Sequence, residues 1–115
     1  EEQDKKEIVN ISTDLLVNTG KKTIWRYLDP SFKYTVLVMG DRRINKLRIM
    51  VYRRDNQTKE WKSVGEMAAT QPQLQLDPTD FEEYEFTVSV DEFRAGDGAG
   101  HFTLILYHQM PEGVK

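Results

Sequence analysis

The sequence contains two histidines, His101 and His108, and these are the first residues to consider for acid–base or metal chemistry. Both lie in an alternating segment that predicts a β-strand. A spacing of seven residues places them on opposite faces of that strand, about 23 Å apart at ~3.3 Å per residue. We therefore expect that they do not share a metal ion. Either histidine alone could act as a general base, and a structural role is the favoured alternative for both.

Carboxylates are concentrated between residues 77 and 92, where seven acidic residues occur without a single base. A pair of carboxylates could bind calcium or carry out the acid–base steps of a hydrolase. Glu83 and Glu85, however, fall on the predicted solvent face of a strand. Asp91 and Asp97, in the glycine-rich segment 91–100, are weak candidates for a metal site. That segment lacks the spaced oxygen ligands of an EF-hand loop, so we expect no cofactor, with calcium as the alternative.

Basic residues are concentrated in a different part of the chain, between residues 41 and 54, where six bases accompany one acid. Arg48 shares a predicted outer strand face with Tyr52, and Arg42 and Arg43 lie just before that strand. A basic face with an aromatic residue could bind an anionic polymer or an acidic protein partner. The alternative, which we favour, is a solvated face whose bases pair with neighbouring acids.

The aromatic residues offer a third kind of site. Trp25 and Tyr27 are two residues apart and therefore share one face of a predicted strand, while Trp61 lies on another strand. Exposed aromatic rings can stack against the apolar faces of sugars. Ile24 and Leu28 compete with these rings for the interior, which indicates either a strand buried on both faces or an exposed patch, and we favour the alternative that the rings fill the core.

The composition excludes several classes of function. The chain of 115 residues has no cysteine, which excludes disulfides, thiolate nucleophiles and cysteine-ligated metals. No serine lies in a Gly-x-Ser-x-Gly elbow. A net charge of -3 gives no bulk attraction to nucleic acid, and no apolar run reaches the length of a membrane span. We therefore expect a domain that is not an enzyme.

The elements that must position these residues are short strands. Alternating or β-rich segments separated by turn signals predict an all-β, antiparallel β-sandwich of seven or eight strands, jelly-roll-like in type. The predicted strands are 7–11, 22–28, 34–39, 46–53, 60–66, 73–76, 83–90 and 102–108. The strand at 73–76 is flanked by Pro72 and Pro78, which indicates a sheet edge. One domain is expected over residues 7–110, with tails at 1–6 and 111–115, and a single helical turn at Thr79–Tyr84 is a minor alternative.

Four segments resemble the bacterial pre-peptidase C-terminal domain, a small jelly-roll sandwich. They are Tyr34–Asp41, similar to its Y-x-V-x-V-x-G-D strand and turn; Leu47–Tyr52; Pro72–Val90, with its Y-x-F-x-V strand; and Gly100–Leu106, similar to its closing G-x-Y-T-L-x-V strand. The segment Lys46–Ile49 departs from the acidic pattern of the family. The resemblance implies an exported, non-catalytic appendage of the kind found on secreted enzymes, some relatives of which bind polymers.

We therefore expect an exported, periplasmic or extracellular module that works by surface binding. A protein partner is the favoured ligand, because one basic and one acidic segment could dock complementary surfaces. A carbohydrate-binding module that uses exposed aromatic residues is the alternative, and a hydrolase or a calcium-binding domain is less favoured.

Overall fold

The computed structural model describes residues 6–109, which form eight β-strands in two four-stranded antiparallel sheets. The predicted all-β sandwich is confirmed. The strands are β1 (Lys6–Val17), β2 (Lys21–Leu28), β3 (Tyr34–Gly40), β4 (Ile44–Arg54), β5 (Trp61–Ala69), β6 (Gln73–Leu76), β7 (Glu82–Phe93) and β8 (Ala99–Gln109).

The first sheet has the order β1-β8-β3-β6, and the second has the order β2-β7-β4-β5. Only β4 and β5 are consecutive strands within one sheet, so every other connection crosses from one sheet to the other. Such crossing connections are typical of jelly-roll sandwiches. No helix within residues 6–109 is long and apolar enough to cross a membrane.

The core lies between the sheets and follows from the alternation of the strands. Leu47, Ile49 and Val51 on β4 are completely buried, and the residues between them point outward. Phe86 on β7 and Phe102 on β8 close the interior from the two sheets. Each such side chain contributes roughly 1.5–3 kcal/mol when it is buried, so the period-two pattern decides which face of each strand points inward.

The two histidines lie on opposite faces of β8, as predicted. His108 is buried, and its ring stacks on Phe32 with centroids 4.0 Å apart. His101 points to solvent, with 58% of its side chain exposed.

Several boundaries differ from the sequence prediction. The first strand runs from Lys6 to Val17, so Lys6 belongs to a strand and not to a tail. Polar residues on the inner side of this strand extend it by bonding to the second sheet: Asn10 contacts Arg26, and Asp14 contacts Lys22. The predicted loop 91–100 is shorter, since β7 continues to Phe93 and β8 begins at Ala99. The helical turn at Thr79–Tyr84 does not form, because β7 already begins at Glu82. Residues 1–5 of the predicted tail 1–6, and the whole predicted tail 111–115, lie outside the described residues. The predicted edge position of β6 is confirmed.

Candidate functional site

The outer face of the second sheet brings together most of the predicted binding residues. Strand register fixes its rows: Trp25 lies opposite Glu85, Glu85 opposite Tyr52, and Tyr52 opposite Ser63. The next row holds Thr23, Thr87, Met50 and Glu66, and the row after that holds Lys21, Ser89, Arg48 and Ala68. We call this surface the aromatic face.

The aromatic side chains on this face are exposed, so the expectation that they fill the core is wrong. Trp25 is 50% exposed, Tyr27 58% and Trp61 39%. The physical reason is the register of β2. Its inward side carries Ile24 and Leu28, of which Leu28 is fully buried, and this leaves Trp25 and Tyr27 on the solvent side.

Glu85 is the central polar group of the aromatic face. It lies between Trp25 and Tyr52 on the neighbouring strands, and it accepts a long hydrogen bond of 3.4 Å from the Thr87 hydroxyl. Within residues 6–109, no salt bridge joins Glu85 to a base. Its carboxylate therefore keeps acceptor capacity directed at solvent between two rings. The sequence predicts only that Glu85 lies on the solvent face of its strand. Its position between two rings was not predicted, because Trp25 and Tyr52 come from distant segments of the chain.

An open groove of about 360 Å³ runs over this face. Its lining residues are Lys21, Thr23, Met50, Tyr52, Trp61, Glu85 and Thr87. A smaller pocket of about 110 Å³ lies at the end of the face, beside Tyr27, Arg54 and Glu83. The surface is thus a shallow trough rather than a closed cavity, which suits an extended ligand more than a small buried one.

Two ring contacts hold the aromatic side chains in place. Tyr27 stacks on Phe81, with centroids 5.3 Å apart and planes 18° apart. The guanidinium of Arg54 lies 6.0 Å from the Trp61 ring centroid, within the range of a cation–π contact. Phe81 is 58% exposed and was not predicted, since it lies in the connection before β7 where no strand alternation marks its direction.

Arg48 shares the outer face with Tyr52, as predicted, but it is fully engaged by acids. Its guanidinium donates two hydrogen bonds to Asp91, of 3.0 and 2.7 Å, and a further one to Glu66. These bonds raise the pKa of Arg48 above its ordinary value, and the bond from Arg48 lowers the pKa of Asp91. The alternative that we favoured from the sequence, a solvated face with cross-strand ion pairs, is confirmed for Arg48.

Arg42 and Arg43 do not lie on this face but in the turn between β3 and β4. Arg43 donates a 2.6 Å hydrogen bond to Asp41, and the Asp41 carboxylate also accepts the backbone N–H groups of Arg43 and His101. The Arg43 side chain is the largest cause that holds the pKa of Asp41 well below its ordinary value. Asp41 therefore ties this turn to the beginning of β8.

The basic and acidic segments of the chain are adjacent in space. The basic segment forms β4 and the acidic segment forms β7, and these strands pair along most of their length. Arg48 contacts Asp91, and Arg53 contacts Glu82. The charge separation in the sequence therefore does not produce one basic and one acidic surface, and the reason for favouring a protein partner is lost.

The two carboxylates considered for calcium are separately engaged. Asp91 lies on β7 beside Arg48, and Asp97 lies in the following turn, 2.9 Å from Arg94. Across residues 6–109, no three side chains of the His, Cys, Asp or Glu types form a group that could hold a metal ion. Calcium binding stays a prediction.

A larger cavity, of about 530 Å³, lies at the β6 edge of the first sheet. Its polar lining includes Lys33, Gln73, Gln75 and Asp77, and it lies away from the three exposed aromatic residues predicted to bind. Tyr34 and Tyr107 line it as well, but Tyr34 is buried and its hydroxyl accepts the Asp29 N–H, so the exposed pair of rings that marks the aromatic face is not repeated there.

Known structures share this fold. The chain superimposes on the Yersinia pseudotuberculosis-derived mitogen with a TM-score of 0.66 and 8% identity, covering 95% of this chain and 90% of that one. It superimposes on CorA, a surface-associated copper-binding protein of Methylomicrobium album BG8, with a TM-score of 0.67 and 8% identity. This match covers 88% of this chain and 93% of that one. It also superimposes on a Clostridium thermocellum xylanase 10B structure with CBM22-1 and GH10 modules, complexed with xylohexaose. The TM-score is 0.53 and the identity 11%, and the match covers 98% of this chain and 27% of that one.

These likenesses show the fold. At this level of identity they carry no residue of those proteins onto this one. No family model matches the sequence, and no curated protein matches it. The resemblance to the pre-peptidase C-terminal domain is therefore supported as a β-sandwich of jelly-roll type, and membership in that family stays a prediction.

Proposed function

We propose that this domain is a non-catalytic module that binds a glycan chain on the aromatic face. Trp25, Tyr52 and Trp61 would provide the stacking surfaces, and Glu85 would accept hydrogen bonds from hydroxyl groups. The observation that carries the proposal is the row in which Glu85 lies between Trp25 and Tyr52 on adjacent strands.

A sugar ring has apolar C–H faces and a rim of hydroxyl groups, and the aromatic face offers a partner for each. The exposed rings are rigid and place their π-systems against solvent, where a C–H face can stack. A carboxylate between them is a strong acceptor for hydroxyl donors. The groove is open, so an internal stretch of a polysaccharide could lie along it without a chain end.

Net charge favours a neutral glycan over an anionic one. Lys21 and Glu85 both line the groove, and Arg48 is already paired with Asp91 and Glu66. A uronic or sulfated chain would bring its charges toward Glu85, whose repulsion opposes the attraction of Lys21 and Arg54 on the same face.

The solved structures support this proposal at the level of fold. One of them is a xylanase 10B structure with CBM22-1 and GH10 modules, complexed with xylohexaose. CorA is described as surface-associated, which supports an exported, periplasmic or extracellular location for this domain as well. A protein partner is the second candidate, and the apolar outer face of the first sheet favours it.

A glycan array followed by calorimetry with the best ligand tests the proposal. We expect the wild-type chain to bind neutral polysaccharides, and Trp25→Ala or Trp61→Ala to weaken binding at least about tenfold, or about 1.4 kcal/mol. Val17→Ala, which alters an exposed residue near the end of β1 in the other sheet, is the matched control and should bind like the wild type. Absence of binding across the array by a folded wild-type chain would contradict the proposal.

A further inference from the structure

The outer face of the first sheet carries a central apolar patch flanked by uncharged polar residues, in contrast to the aromatic face of the second sheet. In register, Ile11 on β1 lies opposite Ile105 on β8, and Ile105 lies opposite Leu37 on β3. These three side chains form a continuous row over three of the four strands, and Gln73 on β6 ends the row. Together with the neighbouring outward residues they form what we call the apolar face: Ile8, Ile11, Leu15, Leu37, Met39 and Ile105.

Strand β1 has its apolar side turned away from the core. Ile8 and Ile11 are 56% and 57% exposed. On the inner side, Asp14 forms a 3.4 Å salt bridge with Lys22, and Asn10 accepts a hydrogen bond from Arg26. Strands normally bury the apolar side, and an exposed apolar patch marks an interaction surface.

We propose that the apolar face is the interface of a homodimer, in which a second copy of this chain packs against the same face about a two-fold axis. The charge pattern argues for a second copy. On strands β1, β8, β3 and β6, the paired positions between Ile8 and Tyr107 whose side chains point outward contain no Asp, Glu, Lys or Arg. A two-fold interface places residues near the axis against their own copies, so a charged residue there would meet a like charge.

The dimensions of the sheet fit such an interface. The three strands that carry the apolar face, at ~4.8 Å spacing and about eight residues at ~3.3 Å, give roughly 380 Å² in projection, and the uncharged rim on β6, Gln73 and Gln75, brings the whole sheet to roughly 500 Å². Specific interfaces at the small end bury about 600 Å² per partner, and protruding Ile, Leu and Met side chains add accessible area to the projection. The apolar face is thus large enough for a dimer that dissociates on dilution.

The dimer would have a consequence for the proposed glycan binding. The apolar face and the aromatic face belong to opposite sheets, so two copies joined through the first sheet would each point an aromatic face outward. Two outward sites on one particle raise the apparent affinity for a multivalent surface. The dimer itself does not depend on the glycan proposal.

Sedimentation velocity of the full chain, from about 1 μM to about 500 μM, tests the dimer. We expect the wild type to shift from monomer to dimer over this range, and Ile11→Lys and Ile105→Lys to remain monomeric throughout. Val64→Lys is the matched control, because Val64 is a 40% exposed apolar residue on β5 of the other sheet, and it should dimerise like the wild type.

Two results would overturn the proposal. One is a wild-type chain that is monomeric at the highest concentration, which would leave the apolar face to a different protein or another occupant. The other is a dimer that survives both lysine substitutions, or one that Val64→Lys disrupts equally. Far-UV circular dichroism checks the fold, and Ile11→Thr, a β-favouring replacement at the exposed edge, replaces any lysine variant that fails to fold.

Discussion

Arg53 on β4 and Glu82 on β7 form a salt bridge of 2.9 Å in which the Glu82 side chain is only 3% exposed. The second carboxylate oxygen of Glu82 accepts the backbone N–H of Asn56 at 3.1 Å. One buried carboxylate therefore joins the end of β4, the β4–β5 turn and the start of β7. This network holds the end of the second sheet next to Tyr27 and Phe81.

Removal of the Glu82 carboxylate should therefore destabilise the fold. Glu82→Ala leaves the Arg53 guanidinium and the Asn56 N–H without their acceptor, so we expect a loss of about 2–4 kcal/mol in the free energy of unfolding. Urea denaturation measures it. The control is Asp97→Ala, which removes the partner of the half-exposed Arg94 and should cost less than about 1 kcal/mol. Equal losses in the two variants would contradict this role for Glu82.

The strands were predictable because their alternation is a local property of the sequence. Leu47, Ile49 and Val51 alternate with polar or longer residues, and burial of one face then follows from the pleat. The pairing of β4 with β7 was not predictable in this way, because it joins segments about 40 residues apart. The ion pairs of Arg48 and Arg53 depend on that pairing.

The exposed aromatic residues show where sequence reasoning reaches its limit. Both faces of β2 carry apolar residues, so the alternation alone could not decide whether Trp25 or Ile24 points inward. The core contacts of Leu28 and Ile24 made that choice. The position of Glu85 between two rings required three strands in register, and no single segment of the sequence contains that information.

The Asp41 carboxylate should make stability depend on pH in the acidic range. Its pKa is held well below its ordinary value of 3.8, chiefly by the Arg43 side chain and also by the N–H groups of Arg43 and His101. A depressed pKa in the folded state gives stability that is complete above the unfolded value, and that stability is lost as the pH falls below it. The Asp41 side chain is 31% exposed, so water weakens the effect to about 1–2 kcal/mol.

The variant Asp41→Asn isolates this contribution. Its urea midpoint should lie below that of the wild type at pH 7, and the difference should shrink as the pH falls from about 5 toward 2. Asp80→Asn, at an exposed position before β7, is the control and should follow the wild type at every pH. A difference that is constant from pH 7 to pH 2 would show that the charge of Asp41 is not the cause.

Gly100 at the start of β8 occupies a site without room for a side chain. A Cβ atom there would lie 2.7 Å from Cγ1 of Ile44 and 3.2 Å from Oδ1 of Asp41. Gly100→Ala should therefore cost about 1–3 kcal/mol of unfolding free energy. Gly98→Ala, whose Cβ would meet no atom within 4 Å, is the control and should be neutral or slightly stabilising. In a double-mutant cycle, Ile44→Ala should reduce the cost of Gly100→Ala, and strict additivity would contradict a steric cause.

Glu85 and Glu83 lie two residues apart on the same strand and the same face. Substitutions at these two positions therefore distinguish a direct glycan contact from a general effect of charge. Only Glu85 lines the groove, together with Tyr52 and Trp61, whereas Glu83 lines the smaller pocket beside Tyr27. Glu85→Gln should weaken glycan binding about three- to tenfold, because an amide is a poorer acceptor for hydroxyl groups than a carboxylate. Glu83→Gln should change the affinity less than twofold, although both variants raise the net charge equally. Calorimetry with a single oligosaccharide measures both, and equal weakening by the two variants would place the glycan elsewhere on the sheet.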